Sequence, residues 1–393
     1  MQRPLPITKV EFCAKIKHLE DVLESNGYTE AYLCSEGAMR WLTGMRHQVV
    51  DISPNAPTTV QAIVTVHPQR TISFFSEPWE SARVGDIIAK GIWNDCGIAV
   101  SYGGSAPDFS RPGLLSPTLA GYAELERSIV SPLAEGTTGN QWEKLMWLIG
   151  ESRKALVEVA RLLRPGMTGW DVRSAIYEAY HRRHIEMNLV MLGLSGMQRH
   201  AHPVIEDDSV VQDGDVVKLV VGARYFDMIH SASQLVAIGR EPSGQELRVH
   251  RALQEATLAY ADRYRSGAVE SDLYRSLGPI FQSVAKKHAL EGFEQSAYLH
   301  HGGGPLSPLG SRDFVVTEQG TRTIFPYAQF ALNPVDTLQY LKFELQGVAL
   351  PSGPPLILDE FTWCDDARLY ETVHWQSELL RLPTIITNGD HPQ

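Results

Sequence analysis

Residues 214–239 read GDVVKLVVGARYFDMIHSASQLVAIG. The stretch opens on Gly214-Asp215, runs through an apolar segment, turns and returns to Gly239, which predicts a β-hairpin. On either side of it the chain repeats itself. LVEVARLLRPGMTGWDVRSAIYEAYHRRH starts at 156 and TLAYADRYRSGAVESDLYRSLGPIFQSVAKKH at 257. Each predicts a helix, a glycine break and a second helix, followed by strand-like sequence. Gly166 matches Gly267 and Asp171 matches Asp272, both at an offset of 101 residues. Gly ends one helix, and the Thr or Val to Asp stretch starts the next. A unit of two helices and strands used twice predicts a pseudo-symmetric domain with a cleft between its halves.

The N-terminal part is different. VEFCAKIKHLEDVLESNGY (10–28) has helical spacing and stops at Asn26-Gly27; AYLC, VQAIVTV and TISFF predict strands, and SYGGSAPDFSRPGLLSPT (101–118) predicts a loop. This gives a small α/β domain over 1–136, with TTGN (137–140) at the junction, and a larger domain over 137–393. A chain of 393 residues suits two or three domains.

With 43% apolar and 21% charged residues, composition is that of a protein with a buried core. The net charge of −11 argues against nucleic-acid and anionic-membrane partners. No apolar run has the length of a membrane span, and MQRPLPITKVEF lacks a signal-peptide core. Cys13, Cys34, Cys96 and Cys364 are far apart and form no CxxC pair, so they predict reduced, structural thiols in a cytoplasmic protein.

Several ordered motifs carry a resemblance: WLTG (41–44), RPGMTGWDV (164–172), HAHPV (200–204), the hairpin, HHGGG (300–304), FALNPV (330–335) and LKFELQGVAL (341–350). In this order the chain resembles the creatinase and aminopeptidase P superfamily, the M24-like pita-bread proteins. The resemblance implies an α/β (α+β) architecture: a small N-terminal α/β domain, then a pseudo-symmetric domain whose curved antiparallel sheet is flanked by helices. In the peptidase branch two metal ions are held by Asp, Asp, His, Glu and Glu. Those positions fall here on Val220, Ser231, His301, Asn333 and Glu344, and PLSPLGSRD (305–313) has no counterpart of a further family His. Val has no lone pair to offer, and Ser or Asn is a weak neutral donor, so the expectation is a site with no metal and no other cofactor.

The superfamily has a metal-free branch, creatinase, in which a His is general acid and base. The resemblance then implies His202, with His200 as second choice, as the base. His301 binds an oxyanion or carries a proton, with His300 behind it, and the glycines let backbone approach a ligand. Glu344 is the anionic anchor; the bland alternative is a Glu paired with Lys342 or an Arg at a strand end. Asn333, His230 and Ser231 are placed facing the cleft, with Arg224 either there or solvated; Tyr327 and Arg312 are weaker candidates. Creatinase-like dimers bring one subunit's small domain to the other's site, which gives Arg46 a role in binding a substrate carboxylate. Ser233 and Asn333 replace creatinase's acidic residues, which makes creatine a poor substrate.

The expected function is metal-independent hydrolysis of a C–N bond, amidino or amide, in a small polar amino-acid-like molecule. The alternatives are a non-catalytic pseudo-peptidase, a lyase or cyclase, and a metallopeptidase with unusual ligands.

Overall fold

The computed structural model describes residues 2–47, 57–104, 107–130, 139–194, 203, 209–298, 302–309, 315–358 and 360–388. The chain divides into two compact units. The first comprises 1–145 with 226–228 and 306–313; the second comprises the remainder.

In the first unit α1 (Lys9–Ser25) begins where the Thr8 hydroxyl accepts the Glu11 N–H and ends at Asn26. Its apolar spacing buries Phe12, Ile16, Leu19 and Leu23 in one core with Trp41, Phe74 and Trp93. The strands are β1 (Glu30–Ser35), β2 (Pro57–Thr65), β3 (Thr71–Ser76), β4 (Ala99–Gly104) and β5 (Leu114–Leu115). They form one sheet in the order β4-β3-β2-β1-β5. The segment 101–118 is therefore not all loop. Its start completes β4, and Leu114 and Leu115, both buried, pair parallel with β1. Two buried leucines outweigh the Pro and Gly around them. Helix α2 (Glu36–Thr43) stops at Gly44, whose φ of 65° is a left-handed cap that suits glycine. Helices α3 (Ser81–Lys90) and α4 (Tyr122–Ile129) complete the unit.

A buried knot of charge lies in this unit. Lys15 Nζ is 2.7 Å from Glu11 Oε1, 2.7 Å from Asp227 Oδ2 and 2.8 Å from the Trp41 carbonyl. Lys144 Nζ is 2.7 Å from Glu11 Oε1 and 2.6 Å from Asp227 Oδ1. None of the four side chains is more than 1% exposed. Two cations alternate with two anions, so the group as a whole is neutral.

The second unit begins within α5 (Gly139–Leu162) and continues with α6 (Gly169–His181), β6 (Glu186–Gly193), β7 (Val216–Tyr225) and β8 (Met228–Ile238). Then come α7 (Gly244–Ala261), α8 (Glu270–His288), β9 (Gly304–Pro305), β10 (Gln329–Leu332), β11 (Leu345–Val348) and β12 (Leu356–Ile357). The chain closes with a two-stranded ribbon, β13 (Tyr370–Trp375) and β14 (Glu378–Pro383), and with β15 (Ile385–Asn388), which pairs parallel with β8. The other strands form two four-stranded sheets, β15-β8-β7-β6 and β12-β11-β10-β9.

The internal repeat is visible in the hydrogen bonds. Gly166 N–H donates to Val211 O (2.9 Å) and Gly267 N–H to Ile324 O (2.7 Å), with φ of 90° and 81°. Val211 N–H returns to Met167 O (2.8 Å), and Ile324 N–H to Ala268 O (2.9 Å). The caps are not equivalent. Thr168 and Asp171 form a reciprocal capping box, whereas Val269 has no side chain to cap with.

Candidate functional site

Strand periodicity sets one polar face in the second unit. Side chains alternate across a strand, so Lys342, Glu344 and Gln346 leave one face while Phe343 and Leu345 enter the core. The partner strand runs antiparallel with Ala331 opposite Gln346, which puts Gln329 and Asn333 on that same face. Phe330 and Leu332 point the other way into the core.

Ser231 on β8 reaches this face, its hydroxyl donating to Glu344 Oε1 at 3.1 Å. Lys342 Nζ lies 3.7 Å from the same oxygen and donates to the Asn333 carbonyl at 3.3 Å. Gln329 Nε2 donates to Ile229 O at 2.7 Å. Lys342, Glu344, Gln346 and Gln329 are at most 1% exposed. Several of their polar atoms nevertheless lack a hydrogen-bond partner: Glu344 Oε2, Asn333 Oδ1, Gln329 Oε1 and both amide atoms of Gln346. Buried polar groups are ordinarily satisfied, so this face is chemically open: four acceptors and one amide donor are available. A water-sized cavity of about 20 Å³, bordered by Tyr260, Ser296 and Pro334, adjoins Asn333.

Lys218 and Val220 share one face of β7. Val220 is fully buried and makes its surroundings dry. Lys218 is fully buried too; burial, and then the Lys342 ammonium, push its pKa down to about 7, while Asp336 works in the opposite direction. Asp336 itself is raised above the usual carboxylate range by burial, although the N–H groups of Gln339, Leu338 and Leu341 and the charge of Lys218 oppose this.

His230 does not join Ser231. Neighbours in a strand point to opposite faces, and His230 Nε2 lies 3.6 Å from Glu360 Oε1, longer than a hydrogen bond. Glu360 is gripped by Arg153, whose Nε donates to Oε2 at 2.8 Å and whose Nη1 donates to Ser233 O at 2.8 Å. Burial raises the Glu360 carboxyl, but Arg153 and His230 outweigh it and hold it below the usual range. The expectation that His230 faces the cleft with Ser231 is corrected: it belongs to the Arg153–Glu360 side of the sheet.

Other expected positions separate. Arg224 is 3% exposed, opposite Glu186 in the β6–β7 register, so it is not a solvated charge. Tyr327 stands in the turn before β10 with φ of 61°, its N–H on Ala349 O at 2.7 Å, and no described contact takes it to Glu344. Arg46 is exposed in the first unit, its guanidinium 5.5 Å from the Phe226 ring centre. His200, His202, His300, His301 and Arg312 lie outside the described residues. The glycines that follow His301 serve packing: a Cβ on Gly303 would meet Ala331 O at 2.6 Å, and Tyr260 OH donates to Gly302 O at 2.9 Å. The close approach seen there is to strand β10.

Lys218, Gln329, Gln346, Arg153 and Glu360 were not expected; Lys342 was named only in the alternative pairing with Glu344, and its ammonium does stand beside that carboxylate. The alternation K-x-E-x-Q in 342–346 signals Gln346 on the strand face of Lys342 and Glu344, and a lone lysine inside VVKLVV signals Lys218. Arg153 and Glu360 are 207 residues apart and carry no local signal.

The residues at the described ligand positions do not fit a pair of divalent ions. Val220 offers nothing, the Ser231 hydroxyl is committed to Glu344, Asn333 is neutral, and Glu344 already has an ammonium beside it. Among the described residues, the group of His, Cys, Asp and Glu spaced to hold an ion is Glu20, Glu24 and His67, in the first unit.

The Peptidase_M24 family model, metallopeptidase family M24, matches residues 150–332. Dipeptidase PepE from Mycobacterium ulcerans has a similar structure, with a TM-score of 0.66 at 14% identity over 89% of this chain and 96% of that one. The X-Pro aminopeptidase from Thermotoga maritima MSB8 matches with a TM-score of 0.61 at 14% identity, over 87% of this chain and 96% of its own. The prolidase from Pyrococcus horikoshii OT3 matches with 0.62 at 12% identity, over 88% and 97%. No curated protein matches the chain by sequence. No helix among the described residues is long and apolar enough to cross a membrane. Residues 150–332 thus match metallopeptidase family M24, and the chain as a whole shares the fold of these dipeptidase, aminopeptidase and prolidase structures.

Proposed function

We propose that this protein is a metal-independent hydrolase on the M24 fold, cleaving a C–N bond in a small, polar, amino-acid-like molecule. The observation that carries the reading is the Ser231–Glu344–Lys342 array: at the described ligand positions one carboxylate remains, and a lysine stands beside it. Similarity to proteins named dipeptidase, X-Pro aminopeptidase and prolidase supports an amide-type C–N bond as the target.

In this proposal His202, or His200 in its place, takes a proton from water as the water oxygen bonds to the substrate carbon. The same imidazolium then protonates the leaving nitrogen as the C–N bond breaks. His301 stabilises the oxyanion, with His300 supporting it. Glu344 Oε2 and Asn333 Oδ1, buried acceptors without partners, receive substrate N–H groups and orient them. Val220 and the apolar wall keep the surroundings dry, which strengthens these contacts. The proposal includes a homodimer in which Arg46 of one copy meets a substrate carboxylate in the other; sedimentation of wild type tests the dimer, and loss of substrate affinity in Arg46→Ala tests the contact.

Protein purified without added metal would be incubated with dipeptides, N-acyl and N-amidino amino acids, and amine release measured with and without EDTA. Turnover is expected to survive the chelator and to fall roughly 10²–10⁴-fold in His202→Ala. Stoichiometric Mn, Co, Fe or Zn in the purified protein, or chelator-sensitive turnover, would overturn the reading. One observation favours a second reading, a binding protein without turnover: Glu344 Oε1 is already engaged by Ser231 and Lys342. That reading expects ligand binding that His202→Ala leaves intact and no amine release from any substrate.

A further inference from the structure

Glu344 keeps its carboxylate where Val220, Ser231 and Asn333 offer no charge, and its surroundings explain how. A carboxylate 1% exposed is costly unless something positive sits near it. Lys342, two residues earlier on the same strand face, brings Nζ to 3.7 Å from Oε1. The same nitrogen is anchored at 3.3 Å on the backbone carbonyl of Asn333, itself at a second of the former ligand positions. One side chain thus touches two corners of the constellation in which the peptidase branch holds its ions.

The exchange has two sides. Anionic donors are missing at Val220, Ser231 and Asn333, and a cation has been built in. Either change alone leaves a problem: a lone buried carboxylate is uncompensated, and a lysine among several carboxylates competes with the ions they bind. Together they balance, one ammonium against one carboxylate. Resting on the metal-independent reading above, we propose that Lys342 is the resident cation of this site, taking the electrostatic place of the divalent ions beside the buried Glu344 and excluding divalent metal. Lys342 acts here as a positioning and specificity-determining residue.

The experiment has two arms. In the first, Val220→Asp, Ser231→Asp and Asn333→Glu are combined, with and without Lys342→Met, and Mn²⁺ affinity is measured by calorimetry on chains whose fold is verified by circular dichroism. Removing a unit charge about 4 Å from a divalent ion is expected to tighten binding by at least about 30-fold, the limit set by bulk-water screening. Equal affinity with and without Lys342, or tight stoichiometric Mn²⁺ with Lys342 in place, would overturn the proposal. The second arm stays in the native background and decides the matter if the multiple variants do not fold. Lys342→Met and Glu344→Gln are each expected to lower the unfolding midpoint, the double variant to recover much of the loss, and Lys342→Arg to lose least. Additive single losses, with no recovery in the double variant, would overturn the role of Lys342. Metal analysis of the native protein tests the underlying reading separately, because it does not depend on any Lys342 variant.

Discussion

Two buried lysine clusters, one in each unit, use the same residue types in opposite ways. In the first unit Lys15 and Lys144 alternate with Glu11 and Asp227 at 2.6–2.7 Å. Burial alone would lower the Lys15 pKa and raise that of Asp227, yet the opposing charges win, so Lys15 is raised and Asp227 lowered. In the second unit Lys342 stands 3.7 Å from Glu344, and Glu344 Oε2 has no partner. There burial wins: Lys218 falls to about 7 and Asp336 rises. A closed set of short, charge-assisted bonds holds a fold together. An open set with unused acceptors leaves work for a ligand.

Three measurements would break or sharpen this contrast. The largest effect belongs to the closed knot. Asp227→Asn leaves Lys15 and Lys144 with the single carboxylate of Glu11 between them and is expected to cost about 3–5 kcal/mol in urea unfolding, the range for breaking a buried pair by removing one partner. A loss below about 1 kcal/mol would place the knot with weakly contributing surface pairs instead.

Next comes the pH dependence set by Lys218. Its folded pKa of about 7 lies below the unfolded value near 10.5, so between these the unfolded chain binds more protons and stability rises with pH. Below about pH 7 both states are protonated and the folded state carries the full cost of a buried charge. Lys218→Met is therefore expected to raise the unfolding midpoint most below pH 7, with the gain shrinking towards pH 10.5. A gain that does not vary between pH 6 and 10 would show that Lys218 is charged throughout, as in the closed knot.

The smallest effect is at Ser231. Ser231→Ala removes one hydrogen bond to Glu344 and is expected to cost about 0.5–1.5 kcal/mol. If Ser231→Ala instead approached the cost of Asp227→Asn, Glu344 would depend on Ser231 rather than on Lys342, and the open cluster would be tighter than its distances imply.

How legible was this in the sequence? Hairpin 214–239 and the Gly166 and Gly267 breaks were readable because they rest on local rules: strand patterning, and glycine where φ is positive. Ser231 and Glu344, assigned to one constellation by resemblance, are in contact. The orientation of His230 was misread although period-two alternation was available; two adjacent strand residues cannot both face the cleft. Arg224 looked exposed because charge near a turn usually is, and burial of a single arginine is decided by packing. The short β5 was hidden among Pro and Gly since its partner β1 is far away in sequence.

The sequence by itself determined the fold class, the internal repeat and the loss of anionic side chains at Val220, Ser231 and Asn333, because residue identity and local periodicity are one-dimensional properties. Only the tertiary structure decided which lysine meets which carboxylate. Lys15 is 212 residues from Asp227, and Ser231 is 113 from Glu344. At such separations no local propensity sets the distance. Whether a buried charge becomes part of the scaffold or part of a site depends on a shift of about 1 Å between partners, set by the packing of strands and helices around it.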